Sequence, residues 1–292
     1  MMKMSLKKKM RFFLALLLTL YTVQAGADEM TIEACEACTG HVIDRNDAVS
    51  VVAGTHKITL CDVVIDVSES SNECAFMIYP GAEVFLTVEG RNILSSGEGC
   101  AGIQVSRGAK LCIQEESTGS LTAMGGMYSA GIGGKNGQNA GTIDIRGGTV
   151  IANSLGAHSS FGAAIGGGEG CGYEAIRISG GTVYTAGYAV GIGGECQTVS
   201  GTIEISGGIV YAVADEIAIG SLLEDSGHAI LISGGEVYAD GGYQYAIGCG
   251  TGITRFNGGK VYTTNAIRIN SEEGELLITD SVISVNGVLQ RE

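Results

Sequence analysis

Basic residues, histidine, proline and tryptophan are scarce in this sequence. Its 292 residues include 17 Lys and Arg against 31 Asp and Glu, four His, one Pro and no Trp. A chain with this acidic excess repels nucleic acid and anionic lipid, so we expect neither as a partner. The four histidines are scattered over different units, and none has a neighbouring Ser or Cys in a recognisable nucleophile motif, so they are interpreted as surface residues.

Long apolar runs are also rare, and the clear one lies at the N-terminus. Residues 1–11 are basic, residues 12–23 are apolar and residues 25–27 are small. This order is typical of a cleaved secretory signal, and the apolar run is short for a bilayer span. We predict a signal peptide over 1–27, no membrane insertion after its cleavage, and a secreted, extracellular or cell-surface location. Cleavage removes five basic residues and no acidic one, which leaves 12 against 31, or −19.

Glycine, in contrast, is abundant, with 48 residues. It does not occupy every third position, which excludes collagen, and the 45% hydrophobic content argues against disorder. Glycine pairs recur within one phrase, and the pairs follow one another at intervals of 24 to 33 residues, as in a solenoid repeat. The phrase reads ISGGTVYTAG (178–187), ISGGIVYAVA (205–214), ISGGEVYADG (232–241) and FNGGKVYTTN (256–265).

Each repeat contains three short runs in which apolar residues alternate with others. In one unit these runs are AAIG, AIRIS and TVYTA, separated by glycine-rich joints. Alternation with period two predicts strands, and three strands with three turns make one rung of a parallel β-helix. A propeller blade needs a longer repeat of four strands, a sandwich does not repeat its sequence, and the GGxGxD unit of a calcium-binding roll is absent.

We therefore predict an all-β chain that forms a single-stranded, right-handed parallel β-helix of the pectin-lyase-like kind, with about eight rungs. The handedness is an expectation at the level of the fold. The predicted organisation is a signal peptide over 1–27, an N-terminal cap over 28–50 and the β-helix over 51–292. Ile78, Ile103 and Ile132 are spaced at 25 and 29 residues and are predicted to occupy equivalent positions on three rungs.

Alternation also assigns side chains to the two faces of each strand. The position two after each glycine pair is always valine, which predicts a ladder pointing into the core. The glycine pairs are predicted to form tight corners, and the glycines of the AGIGG phrases are also read as turns. The core valines are Val150, Val183, Val210, Val237 and Val261.

Nine cysteines in an exported chain make disulfides plausible, and the odd number leaves at least one without a partner in the chain. Cys74 and Cys100 fall near the same corner of adjacent predicted rungs, and so do Cys171 and Cys196. Rungs spaced about 4.8 Å apart are within disulfide range, so both pairs are predicted disulfides. The CxxC at 35–38 is interpreted as a staple of the cap, with redox or metal binding as the alternative.

No strong catalytic motif appears. GIGGK (131–135) lacks the first glycine and the Ser or Thr of a phosphate-binding loop, and there is no Asp-Asp pair of the kind used by β-helix hydrolases. One outward row on the second strand of the repeat alternates in charge, which favours surface ion pairs. Its residues are Asp144, Arg177, Glu204, Leu231 and Arg255. We predict no enzyme activity, and a polysaccharide lyase remains the alternative because carboxylates and arginines lie together there.

A cofactor is not predicted either, although calcium is an open possibility. The acidic pairs at 215–216 and 224–225 could offer oxygen ligands, but their spacing matches no calcium loop. Solvated surface charge is the favoured interpretation.

The residue after each core valine points outward, and in four successive repeats it is tyrosine. These side chains should form a strip about 14 Å long. Ring stacking that stabilises the sheet is one interpretation; a flat platform for the apolar faces of sugar rings is the other. A row of serines on the neighbouring sheet could add hydroxyl groups. The predicted ligand-binding residues are Tyr184, Tyr211, Tyr238, Tyr262, Ser179, Ser206 and Ser233.

The phrases AGIGG, GTIDIRGGTVIA and GTIEISGGIVYA resemble the repeats of secreted bacterial β-helix proteins with AGIGGG and ITGGTVTATG units. Those proteins are often grouped with carbohydrate-binding proteins, including polygalacturonate- and cellulose-binding ones. The resemblance covers roughly residues 100–265 and implies a secreted or cell-surface protein whose partner is a polysaccharide or cell-surface glycan. A structural or adhesin-like role without a glycan site, and a lyase-like enzyme, are the alternatives.

Overall fold

The computed structural model shows an all-β chain, and no helix occurs among the residues it describes. None of these residues therefore forms a helix that could cross a membrane. The structure describes residues 21–23, 30–33, 41–42, 48–154, 162–195, 201–222, 228–243, 245–248, 252–268, 275–279, 281–285 and 288–290.

The strands form three sheets, which we call A, B and C. The chain visits A, B and C in turn, so each sheet collects every third strand from β4 to β30. Sheet A contains β1 (Tyr21–Val23), β4 (Val49–Val51), β7 (Phe76–Ile78), β10 (Ile103–Val105), β13 (Ile132–Gly133), β16 (Ala163–Gly166), β19 (Val190–Gly194), β22 (Ile217–Ser221), β25 (Tyr245–Gly248) and β28 (Ile267–Arg268).

Sheet B is the longest, with 11 strands. It contains β2 (Met30–Glu33), β3 (His41–Val42), β5 (Gly54–Cys61), β8 (Ala82–Glu89), β11 (Lys110–Ile113), β14 (Ala140–Ile145), β17 (Tyr173–Ile178), β20 (Thr202–Ile205), β23 (Ala229–Ile232), β26 (Ile253–Phe256) and β29 (Glu275–Ile278).

Sheet C has ten strands. It contains β6 (Val64–Asp66), β9 (Arg91–Ser95), β12 (Ser120–Met124), β15 (Thr149–Asn153), β18 (Thr182–Gly187), β21 (Ile209–Ala214), β24 (Glu236–Gly241), β27 (Lys260–Thr263), β30 (Val282–Val285) and β31 (Val288–Gln290).

Strands from successive rungs pair in parallel, which confirms the parallel β-helix. At the C-terminal end of sheet C, β31 folds back and pairs antiparallel with β30. At the other end, β1 pairs in parallel with β4, and β2 with β5, so parallel pairing includes residues on the N-terminal side of the predicted boundary at 51.

The core runs along the axis between the three sheets. The five predicted valines are buried and belong to one apolar cluster together with the isoleucines of sheet B. Val183, Val210 and Val237 are in register on successive strands. Each such side chain contributes about 1.5–3 kcal/mol by leaving water, so matching residues must recur on every rung.

The glycine pairs form the corners between sheets B and C, as predicted, and the two members of a pair do different things. Gly181 has φ +73°, a left-handed conformation that disfavours other residues. Gly180 approaches the rung before it so closely that a Cβ would lie 2.1 Å from the Arg146 carbonyl oxygen.

The glycines of the AGIGG phrases were predicted as turns, and that prediction is wrong for the glycine that follows the isoleucine of each phrase. Gly133, Gly166, Gly193, Gly220 and Gly248 lie inside strands of sheet A and pair with one another in register. A Cβ on Gly193 would lie 1.8 Å from the Gly220 carbonyl oxygen. Sheet A therefore carries a column of backbone without side chains, which we call the glycine column.

The predicted equivalence of Ile78 and Ile103 is also wrong, whereas that of Ile103 and Ile132 is confirmed. Ile103 pairs with Phe76, and Ile78 pairs with Val105. A shift of two residues keeps the same face of a strand inward, so alternation alone does not distinguish the two registers.

Candidate functional site

The four predicted tyrosines form a continuous ladder on the outer surface of sheet C. Their strands are in register, and consecutive ring centroids lie 4.9, 4.8 and 4.8 Å apart from Tyr184 to Tyr262. The column continues upstream with Ile151 and ends downstream at Ser284. We call these four residues the tyrosine ladder.

The rings are nearly parallel, with interplanar angles of 5°, 11° and 12°. Parallel rings at the strand spacing stack face to face with an offset, so each inner ring turns both faces toward its neighbours. Ring edges and phenol groups then form most of the outer surface. The ladder thus has the predicted position and length, but its stacked rings do not present the flat platform of open faces.

A groove of about 400 Å³ lies along one side of the ladder, over its C-terminal three rings. Val213, Asp240 and Thr264 form the side of the groove away from the corner glycines, and Ser284 lies at its end. Val213 is 46% exposed, and Asp240 is exposed and accepts a hydrogen bond from the Thr264 hydroxyl at 2.6 Å. The surface of the groove is therefore mainly apolar, with a few hydroxyl groups and one carboxylate among its lining residues.

Sequence reasoning missed these groove residues. Val213 and Asp240 occupy the position two after the tyrosine in their repeats and pair in register. That position changes from Ala186 to Val213 to Asp240 to Thr264, so it does not appear as a repeated letter. The same outward alternation that selected the tyrosines could have found it.

The three predicted serines do form an exposed row, with Ser179, Ser206 and Ser233 on successive rungs. Each lies at the corner where sheet B ends, five residues before its tyrosine. None of them lines the groove, which lies on the other side of the ladder. The structure therefore does not unite the serines and tyrosines in one cavity.

Charged residues fill the space between the serine row and the ladder at its C-terminal end. Lys260 Nζ contacts Glu236 Oε1 at 2.6 Å, and the Tyr238 hydroxyl donates to Glu236 Oε2 at 3.3 Å. The Lys260 ammonium lowers the pKa of the Glu236 carboxyl, and Glu236 in turn raises the pKa of Lys260. Both side chains are exposed, so the pair orients Tyr238 more than it stabilises the fold.

Cys74 and Cys100 are buried neighbours, as their predicted positions on adjacent rungs require. Both are free thiols, so the predicted disulfide is not formed in this structure. The Cys74 thiol instead donates to Gln104 Oε1 at 3.0 Å. The close approach of the two sulfurs raises the pKa of Cys74 and lowers that of Cys100, with Lys135 adding to the second effect.

The other cysteine predictions fall partly outside the described residues. Cys196, the predicted partner of Cys171, lies outside them, and so does the CxxC at 35–38. Both stay predictions.

The charged row on sheet B forms ion pairs, one of them as predicted. Arg177 Nε lies 3.1 Å from Glu204 Oε2 on the next rung. Asp144 pairs instead with Arg146, which lies two residues further along the same rung, at 2.6 Å. These arginines are held by carboxylates, which is the arrangement of a surface ion-pair ladder.

No group of three or more His, Cys, Asp or Glu side chains in the described ranges is arranged to hold a metal ion. The acidic pair at 224–225 lies outside those ranges. A different carboxylate stands out near sheet A. Burial raises the pKa of Glu195 to about 7, with the charges of Glu169 and Glu216 adding to the effect.

Comparisons of the chain with protein-family models, with curated proteins and with solved structures give no match.

Proposed function

We propose that this protein is a secreted or cell-surface, non-catalytic β-helix that binds a polysaccharide along sheet C. The groove beside the tyrosine ladder carries the proposal. It follows three rungs beside a regular row of rings, and a surface that repeats from rung to rung suits a regular linear polymer. The predicted export signal and the resemblance of the repeats to carbohydrate-binding β-helix proteins agree with this role.

The chemistry of the groove favours a neutral polysaccharide. The apolar flank of a sugar ring can contact Val213 and the tyrosine edges, while its hydroxyls can bond to Asp240, Thr264 and Ser284. Asp240 accepts hydrogen bonds but repels anionic sugars. The acidic surface of the chain repels anionic sugars as well. The tyrosine ladder then forms one side of the binding groove, and stacking between its rings fixes their positions.

Binding can be tested by retention on insoluble cellulose and chitin, with pectin as the anionic comparison and with or without calcium. The informative variant is Asp240→Ala, because Asp240 lines the groove and is exposed, so its removal leaves the core intact. Asp66→Ala is the matched control, since Asp66 lies in the same outward column of sheet C, at its N-terminal end.

We expect retention on a neutral polysaccharide, and about tenfold weaker retention for Asp240→Ala than for Asp66→Ala, because one or two hydrogen bonds are lost. Equal retention of the two variants, or no retention of the wild-type protein on any of the three polymers, would contradict the proposal.

The stacked rings favour a second candidate, a structural or adhesin-like surface protein in which the ladder only stabilises sheet C. Rings whose faces cover one another stabilise the sheet whether or not a ligand binds. The same retention experiment separates the two functions, because this second function predicts no glycan retention and no effect of Asp240→Ala.

A further inference from the structure

A second and larger cavity, of about 570 Å³, lies at the corner between sheets A and B. Three successive turns border it, and each is closed by a backbone hydrogen bond: Ala82 to Tyr79, Ala109 to Ser106, and Gln138 to Lys135. The size is in the range of about 300–1,000 Å³ that is usual for ligand sites. We call it the corner cavity.

The corner cavity is cationic in a strongly acidic molecule. Lys135 lines it and forms no ion pair with a residue in the described ranges. Arg107 also lines it, and its contact with Glu174 is 3.8 Å long and largely exposed, so that contact neutralises the guanidinium only weakly. A cavity lined by two available cations is suited to a carboxylate.

Amide groups supply the second half of the site. Gln104 is 97% buried, yet it lines the cavity, and its carbonyl accepts a hydrogen bond from the Cys74 thiol at 3.0 Å. Its Nε2 donates to Ser106 Oγ at 3.3 Å, which leaves one of its two N–H groups for a ligand oxygen. Asn139 accepts a hydrogen bond from the Gly172 N–H at 2.8 Å, so its oxygen is already used. Its Nδ2 makes no hydrogen bond to a described residue and is available to a ligand oxygen.

The remaining lining residues suit a ligand that carries hydroxyl groups. Gln138 is exposed at the rim and can both donate and accept. Tyr79 is 42% exposed and presents an aromatic surface beside Met77. We infer that the corner cavity binds a small carboxylate that also carries several hydroxyls, that is, a sugar acid. Lys135 and Arg107 would hold the carboxylate, and the amides would hold the hydroxyls.

This site is separate from the groove on sheet C, since the two share no lining residue. It also takes the opposite charge, because the groove offers a carboxylate whereas the cavity offers two cations. The inference therefore does not depend on polysaccharide binding.

Calorimetric titration with three six-carbon probes tests both parts of the inference. Gluconate carries a carboxylate and hydroxyls, sorbitol has hydroxyls without charge, and hexanoate has charge without hydroxyls. We expect gluconate to bind at least about tenfold more tightly than either of the others, and its affinity to fall as salt is added. Sorbitol binding as tightly as gluconate would overturn the role of the cations, and hexanoate doing so would overturn the role of the amides.

Two matched pairs of variants locate the binding. Lys135→Gln and Arg107→Gln should each weaken gluconate binding about tenfold. Lys57→Gln and Arg91→Gln, at exposed positions outside the cavity, should not change it. Asp240→Ala should also leave gluconate binding unchanged, which separates this site from the groove. Thermal melting of each variant checks folding, and equal binding by Lys135→Gln and Lys57→Gln would refute the site.

Discussion

A tyrosine ring offers a ligand either its faces or its edge, and the neighbouring residues determine which. Tyr211 and Tyr238 have a ring on each side, so their faces are covered. Tyr184 has Ile151 upstream, and 42% of it is exposed. The repeated letter predicted an outward aromatic at each of these positions. The orientation of each ring depends on the residue at the same position of the next rung, and the sequence of one repeat does not contain that residue.

Glu195 gives a residue-scale prediction about pH. One of its carboxylate oxygens is buried without a hydrogen-bond partner among the described residues, and burial raises its pKa to about 7. The folded chain then keeps this proton up to about pH 7, whereas the unfolded chain loses it near its ordinary pKa of 4.5. The contribution of Glu195 to stability is therefore greatest below about pH 4.5 and falls as the pH rises toward 7.

Glu195→Gln should accordingly raise the free energy of unfolding at pH 8 by up to a few kcal/mol, and by much less at pH 4.5. Chemical denaturation at the two pH values measures this. Glu98→Gln, at an exposed site, is the control. An equal effect of Glu195→Gln at both pH values would show that burial does not hold the proton on this group.

At the scale of elements, the three short runs of each repeat were predicted as strands, but the glycines within the strands of sheet A were not recognised as strand residues. Alternation around Ile176 and Val183 marks the face of each strand because their outward neighbours are polar or aromatic. In sheet A the outward neighbour is glycine, so Ile192 stands among glycines and the pattern reads as a turn. Only the pairing of successive rungs shows that these glycines are strand residues.

The glycine column supports a prediction that compares two glycines with positive φ. Gly193 has φ +140° and sits against the Gly220 carbonyl, whereas Gly137 has φ +68° and a Cβ added to it would meet nothing within 4 Å. Gly193→Ala adds a backbone clash to the conformational cost and should destabilise the fold by at least about 3 kcal/mol. Gly137→Ala has only the conformational cost, about 1 kcal/mol.

Thermal melting compares the two variants directly. We expect a clearly larger loss of Tm for Gly193→Ala than for Gly137→Ala, by roughly 4–8 °C in a chain of this size. Similar losses would mean that sheet A has room for a side chain at the column, and that positive φ alone selects glycine there.

At the scale of the whole molecule, the solenoid is a stack in which each rung contacts mainly its neighbours. This explains why the repeat predicted the fold: a core of Val183, Val210 and Val237 forms only if the same residues return at each turn. It also explains why the groove and the corner cavity were missed. The tyrosine wall of the groove is a repeated letter, but its other wall and the corner cavity are built from residues that vary between rungs, so they do not stand out in the repeat.

The same stacking bears on the redox state of the molecule. Cys74 and Cys100 meet because their rungs are adjacent, and both are buried once the rungs have closed. With oxidised glutathione as oxidant during folding, one of the two thiols attacks it, and the other then displaces the bound glutathione. Two thiols thereby lose two electrons and two protons, and one disulfide forms while glutathione is reduced.

We expect this bond to form in the exported protein and to stabilise it by about 3 kcal/mol, because it closes a loop between neighbouring rungs. Peptide mapping without reductant, and melting before and after reduction, measure the two effects. Cys100→Ser should match the reduced protein in Tm, and Cys112→Ser controls for the loss of a buried thiol. If mapping finds both thiols free after oxidation, the Gln104 hydrogen bond holds Cys74 more strongly than the pairing favours the disulfide.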